Sequence, residues 1–350
     1  MGYNTIGKPA AKRCGRPATF LIFISSLIPA FDFVQYVTDD FDIWRPALHT
    51  RALSILALAS FATPALALDF GNGFTLSGDV ELEYISSNGS TESIGFVDAT
   101  LGWRSQAGSA VGFGFDLTPV GFSFLDTGDT SSTFWGGLVL TTAVGEVTIG
   151  NPRPLLTTMI NAPELGGYRI LELEFSQITG STLEVIALQS DEQLYGVSFK
   201  GSSGALAYGA SYHTVEGSAA DILELVATYQ LGNILIQGGA ETIRGSGTSF
   251  NKFLIGATYA ADRWSAGVLV SSANALGTDV TTTRLFADYA VSDALTIGAQ
   301  KMSIDGPFSG SLYGVSAEYG FASGGFAQLG VIGSSPGGDT AYTASIGFRF

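Results

Sequence analysis

The most constraining feature of this 350-residue chain is a period of two. From Phe74 onward, apolar residues alternate with small or polar ones in segments of about ten residues. In the first segment Phe74, Leu76, Val80, Leu82 and Tyr84 share one face, and Thr75, Ser77, Asp79, Glu81 and Glu83 share the other, because strand side chains point to opposite sides in turn. Three carboxylates on one face of a strand cannot lie in a dry core, but they can line water. Val97, Ala99, Leu101 and Trp103 oppose Asp98, Thr100, Gly102 and Arg104 in the same way, and Val111, Phe113, Phe115 and Leu117 oppose Gly112, Gly114 and Asp116. Trp135–Thr141 and Val147–Ile149 continue the pattern less cleanly. After Gln193 it becomes regular, near 193–200, 204–213, 221–231, 233–243, 251–260, 264–273, 280–290, 294–304, 311–321, 325–334 and 340–350. A sheet with one apolar and one polar face throughout suits lipid on the outside and water on the inside.

Composition fits a chain made mostly of strands. Charged residues are 13% of the chain, about half the usual quarter. There are 46 glycines and only 11 prolines. No stretch after the leader reaches the length of apolar run that a transmembrane helix needs. A large β-sandwich or solenoid would share the richness in glycine and strands. The single cysteine, Cys14, rules out a disulfide framework. His49 and His213 are the only histidines, which excludes paired-histidine metal sites and leaves little material for serine–histidine catalysis.

The beginning of the chain reads as a leader. Arg51 is followed by the apolar run Ala52–Phe61, and Ala65-Leu66-Ala67 has the form of a cleavage signal. Cleavage after Ala67 makes residues 1–67 the leader and 68–350 the barrel. Lys8, Lys12, Arg13 and Arg16 precede a second apolar run, Ala18–Phe33, which could serve as a competing signal peptide but would leave the second one without a purpose. The expected signal peptide occupies about 48–67, with a start near Leu48, and 1–47 is expected to be an extension from a start site placed too early. Removing the four acidic and six basic residues before Leu68 leaves 27 acids against 10 bases, a net charge of −17. That balance argues against a nucleic-acid partner and bears instead on which ions enter a pore.

The segments are joined by connections of unequal length. Gly201–Ser203, Ala261–Arg263, Val291–Asp293 and Ala322–Gly324 are short. Val215–Ala220, Arg244–Phe250, Asn274–Asp279, Asp305–Gly310 and Ser334–Asp339 are longer and polar. Short turns at one end and longer loops at the other are the wiring of outer-membrane barrels. Tyr84, Trp103, Tyr229, Tyr259, Trp264, Tyr289, Tyr319, Phe321, Phe348 and Phe350 lie near segment ends, where interfacial girdles place aromatic rings. The expected fold is all-β: a closed antiparallel transmembrane β-barrel of sixteen strands, or eighteen if Arg169–Phe175 and Thr182–Leu188, which also alternate, cross the membrane.

Two features carry a family resemblance. The last segment, with Tyr342, Ala344, Ile346, Phe348 and Phe350 on one face, resembles the C-terminal strand of bacterial outer-membrane barrels. Pro163-Glu164-Leu165-Gly166-Gly167, after the fifth strand, is similar to the Pro-Glu-aromatic-Gly-Gly motif of the general porins of Gram-negative bacteria, with Leu165 in the aromatic place. The smaller alphaproteobacterial members are the most similar. In that family the motif lies in a third external loop that folds inward and narrows the pore. The resemblance implies a homotrimer of water-filled barrels in the outer-membrane lipid, admitting small hydrophilic solutes. It also implies that Tyr342, Phe348 and Phe350 form the signal read by the assembly machinery. By position, Glu164 becomes an acidic member of the constriction and Arg104 the best match for the opposing wall, with Arg153 and Arg169 on the loop itself. Asp79, Glu81, Glu83, Asp98, Arg284 and Arg349 are expected to line the lumen, with Arg349 near the periplasmic mouth. The acid excess favours cations modestly.

No cofactor is expected. Asp126 and Asp129, after the third strand, are surface or calcium-binding carboxylates, but their spacing does not define a metal site. A substrate-specific channel is the alternative function; eighteen strands and an aromatic track in the lumen would favour it, but the aromatics that can be assigned mostly face outward. An adhesin needs longer loops. An enzyme would have to use His213 with Ser211, two residues away, and strand neighbours without an orienting acid are not an activated nucleophile. Intact mass of the purified protein is expected to correspond to a chain starting at Leu68. A mass that includes earlier residues refutes this cleavage.

Overall fold

The computed structural model describes residues 67–350 except 106–110, 191, 218–219, 246–247, 276–277, 307–308 and 336–337. Residues 1–66, the stretch expected to hold the leader and containing Cys14 and His49, lie outside the described residues. The strands are β1 (Leu68–Gly71), β2 (Phe74–Ser87), β3 (Ser90–Arg104), β4 (Val111–Phe124), β5 (Thr130–Thr142), β6 (Gly145–Asn151), β7 (Leu194–Ser203), β8 (Leu206–Val215), β9 (Ala220–Leu231), β10 (Ile234–Gly245), β11 (Thr248–Ala260), β12 (Trp264–Ala275), β13 (Thr278–Ala290), β14 (Leu295–Asp305), β15 (Gly310–Gly320), β16 (Gly325–Ser335) and β17 (Thr340–Arg349). Between β6 and β7 lie α1 (Leu155–Met159), a 3-10 turn (Leu165–Gly167), α2 (Arg169–Thr179) and α3 (Thr182–Gln189).

Each strand from β2 onward pairs antiparallel with the next, and β17 returns to β2, so sixteen strands close into a ring. The seam runs from Ala341↔Ser87 to Arg349↔Asp79. Gly78 and Phe350 then exchange both backbone bonds, at 2.7 and 2.9 Å. Beyond Phe350, β1 folds back through Asn72 and Gly73 and pairs Leu68 with Leu76 on the same edge of β2. Phe350 stacks on Phe348 at 6.3 Å and is buried, whereas Tyr342 on the same face is 60% exposed.

Sixteen strands match the lower of the two expected counts. Arg169–Phe175 and Thr182–Leu188, read as possible strands, are the helices α2 and α3. They have no strand neighbour to complete a ladder, so a helix is the way to satisfy their backbone. Their buried residues, Ile170, Leu171 and Phe175 in α2, follow helical spacing.

The expected contrast in connection length is absent. From β8 to β17 the gaps between strands are two to four residues at both ends. The polar residues read as loops are cross-strand pairs on the ladder: Arg244 lies opposite Asp221, and Asn274 opposite Asp279, its side-chain amide donating to the carboxylate at 2.6 Å. The apolar outward face is as expected, with Leu138, Ile149, Phe253, Ile255 and Leu329 all exposed. Aromatic rings gather at its turn end, where Tyr259–Trp264 and Tyr319–Phe321 pack at 5.1 and 5.3 Å.

The inward face has three levels. Arg104, Asp116, Glu146, Glu318 and Arg349, near the turn end, are charged and partly solvated. Polar side chains follow midway. At the loop end the inward positions are apolar and buried: Ile85, Ile94, Phe124, Leu194, Val215, Ile222, Val280, Ile304, Leu312 and Ile332 pack with Tyr168, Ile170, Leu171, Phe175, Leu183 and Leu188 of the inserted segment.

Closure rests on one backbone feature that can be tested. Gly78 has φ +141°, and a Cβ there would sit 2.1 Å from the Asp98 carbonyl oxygen. Gly78→Val is expected to destabilise the barrel by at least about 1–3 kcal/mol, the usual cost of forcing such a backbone, read as a lower melting temperature and less of the fast-migrating folded band in unheated gels.

Candidate pore constriction

The inserted segment meets the wall at four places. α1 packs on β8 and β9, the 3-10 turn on β14–β17, α2 on β12 and β13, and α3 on β5. It thus crosses the lumen rather than hugging one side.

The turn explains the glycines of the motif. Gly166 and Gly167 have φ of +61° and +66°, a region that glycine enters without steric cost. The wall answers with glycines of its own. A Cβ on Gly330 would lie 1.8 Å from the Gly166 carbonyl oxygen, and one on Gly314 would lie 2.4 Å from the Gly166 nitrogen. Backbone therefore rests on backbone, and Thr343 donates to the Gly166 oxygen at 3.0 Å. Leu165, in the aromatic place of the motif, is fully buried.

Below the turn lies a charged waist. Arg169 binds Asp79 and reaches Glu81 and Asp98 at 3.7 and 3.5 Å. Its guanidinium lies 3.7 Å from the Phe96 ring centroid, and its backbone nitrogen donates to Glu83 at 2.8 Å. Arg153 forks onto Asp98 at 2.9 and 2.7 Å and reaches Glu184 at 2.8 Å. Arg284, wholly buried, binds Glu172 at 2.6 Å, the Pro163 carbonyl, and Gln300 at 2.9 Å. Glu164 lies in the field of Arg169, Glu81, Glu172 and Asp79. Burial pushes its pKa up to about 7, with Arg169 opposing and the acids assisting. Burial also lifts Glu174 to about 7. For Arg169, burial works against the charge, but Asp79 and Glu164 outweigh it and raise the pKa.

A second anchor stands on the β9–β11 wall. Lys252 binds Glu241 at 2.9 Å, both side chains fully buried. It also donates to the Gln177 carbonyl at 3.1 Å and to the Thr182 hydroxyl at 2.9 Å. Glu224 accepts from the Leu155 nitrogen at 2.6 Å and from Ser181 and Ser211 at 2.7 and 2.8 Å.

The expected residues are thus distributed unevenly. Asp79, Glu81, Glu83, Asp98, Arg153, Arg169 and Glu164 come together, and Arg284 joins them through Glu172. Glu81 and Glu83 are covered by the loop, at 7% and 2% exposure, rather than open to the lumen. Arg104 does not oppose Glu164: it forks onto Asp116 at 2.7 and 2.8 Å and reaches Glu146 at 3.2 Å. It stands six residues along β3 from Asp98, about 20 Å at strand rise. Arg349 forks onto Glu318 at 2.6 and 2.7 Å, near the turn end. Ser211 and His213 are tied to Glu224 and to the Pro152 carbonyl respectively. Asp126 accepts from the Ser93 nitrogen at 2.9 Å, and among the described residues no group of acids, histidines or cysteines is arranged to hold a metal. The sequence reading missed Glu224, Glu241, Lys252, Glu172 and Glu184. The three wall residues sit at inward positions of regular strands, so alternation already marked them.

The family model for Gram-negative porins matches residues 52–322. The chain belongs to the Gram-negative porins. It is an outer-membrane β-barrel and a diffusion porin, and its inserted segment is the third external loop. No curated protein sequence matches it. Among solved structures, a mutant of the porin of Rhodopseudomonas blastica has 18% identity and a TM-score of 0.60, covering 79% of this chain and 100% of that one. A loop-deleted OmpT of Vibrio cholerae has 14% identity and a TM-score of 0.61, covering 79% and 98%.

The loop's seat makes two expectations. Gly330→Val must lift the turn off β16, so proteases should cut within 155–189 in the folded barrel where they spare the parent. Arg153→Gln strands Asp98 and Glu184 and should cost about 3 kcal/mol, the lower range for breaking a buried pair, measured by thermal or urea unfolding.

Proposed function

We propose that this porin passes small hydrophilic solutes without a dedicated substrate and with a weak preference for cations. The observation that carries the reading is the charge at the waist. Leaving aside Glu81 and Glu83, which the loop covers, five carboxyl groups, on Asp79, Asp98, Glu164, Glu172 and Glu184, stand against three guanidinium groups, on Arg153, Arg169 and Arg284. A net negative ring favours cations and disfavours anions. The preference is weak because the arginines offset part of the charge and because Glu164, with its pKa near 7, is only partly ionised at neutral pH.

The substrate-specific alternative draws less support. Sixteen strands close the ring, and inward Phe96, Phe124, Trp135, Phe286 and Phe326, with Phe175 of the loop, are all buried instead of forming a track that a solute could follow. Ser211 and His213 serve as wall anchors in this reading and not as catalytic groups. The chain acts as a homotrimer, and the terminal strand with Tyr342, Phe348 and Phe350 is what the assembly machinery reads. Cross-linking of folded protein tests the trimer.

Reversal potentials across bilayers with a salt gradient test the selectivity. Glu164→Gln should lower the cation-to-anion ratio about two- to fivefold, matching roughly 0.4–1 kcal/mol of unit-charge attraction in water. The carboxyl is neutral below about pH 7 and charged above it, so the parent's cation preference should rise through that range. The rise should flatten in Glu164→Gln. An unchanged ratio in the variant removes Glu164 from the constriction, and saturable block by a single solute would favour the specific channel.

A further inference from the structure

The third loop does more than narrow the lumen. At the external end, inward residues from strands on opposite sides of the ring, including Ile94 of β3, Ile222 of β9, Ile304 of β14 and Ile332 of β16, join one apolar core with the loop. All four are at most 5% exposed. Leu171 and Phe175 of α2, at 2% and 3%, belong to the same core. A water-filled vestibule has no use for isoleucine at these positions, and the outward face of the same strands is where period two would otherwise put them. The inner vestibule is different in kind: Arg349 and Arg104 keep 45% and 36% of their side-chain surface in contact with solvent.

We propose that the loop is a plug: in the conformation seen here it seals the external half of the barrel with a hydrophobic core, and solutes pass only when that core parts. The inference rests on the diffusion-porin reading and adds a gate to it. The loop is built as a separable body. α2 and α3 satisfy most of their backbone internally, and where loop backbone reaches the wall it binds wall side chains: Arg169 to Glu83, Thr182 to Glu241, Leu155 to Glu224 and Asn161 to Gln237. Such bonds can be exchanged for water without breaking a strand ladder. An apolar constriction excludes water and ions while closed, so parting the core and wetting it are the same event.

Two measurements test this. In planar bilayers the parent should dwell mainly in a closed or low-conductance state, and the double variant Leu171→Ser, Phe175→Ser should carry a mean current several-fold larger. In detergent, a cysteine at Ile304 should resist a bulky water-soluble maleimide while one at Ser316, inward on the neighbouring strand and nearer the inner vestibule, reacts. The unheated gel band shows whether each variant is a folded barrel. If the double variant does not fold, Ile332→Ser on the wall takes its place, and the labelling result stands alone. A parent that conducts steadily, with no gain in the variant and a reactive cysteine at Ile304, overturns the plug and leaves the porin reading intact. Folded parent and variant that both fail to conduct overturn the diffusion reading as well.

Discussion

Hydrocarbon offers nothing to a backbone N–H or C=O, and the rest of this structure depends on that. A sheet in lipid must close on itself, because an open edge would leave a row of unpaired groups at several kcal/mol each. Here the closing pair is β17 with β2, ended by the exchange between Phe350 and Gly78. Closure settles the outward face, which is built mostly of apolar residues and girdle aromatics. It also creates a problem inside: a ring of this many strands encloses a space too wide for its own inward side chains to fill. That space must hold water or more protein.

The porin uses both. Water reaches the inner vestibule, where Arg104 pairs with Asp116 and Glu146 and Arg349 with Glu318. The third loop occupies the external half, and each of its contacts solves a separate difficulty. Glycine on glycine lets the turn sit flush on β15 and β16. Arginines carried by the loop meet carboxylates that β2 and β3 hold inside the barrel, so neither set is buried alone. The fully buried Lys252–Glu241 pair is poor value as a source of stability, because desolvating two ions consumes most of their attraction. Its use is positional: it fixes where α2 ends and α3 begins.

How far the site was legible in the sequence follows from the same division. Asp79, Glu81 and Glu83 declare an inward face, since three carboxylates on one side of a strand admit no dry explanation, and that inference made them lumen residues without showing that the waist would form on them. The motif at Pro163–Gly167 marked the loop. What misled was the loop's own pattern. Arg169–Phe175 alternates well enough to pass for a strand, because a run of seven residues holds too few repeats to separate a period of two from one of 3.6. Arg244, which lies opposite Asp221, and the pair Asn274 with Asp279 passed for loops because a ladder rung and a surface loop look alike when each strand is read alone. Arg104 was placed opposite Glu164 because it faces inward, and facing inward says nothing about depth along the strand.

The sequence by itself determined the strands, their two faces, their number once the helices are set aside, and the family. Those properties depend on periodicity between neighbours in the chain and on the solvent that each face meets. Only the tertiary structure decided which charges meet and what fills the external lumen. Arg153 finds Glu184 and Asp98, and Ile94 finds the same core as Ile304, through space that the ring encloses. Such contacts depend on register around the barrel and on height along it, two coordinates that no single strand encodes.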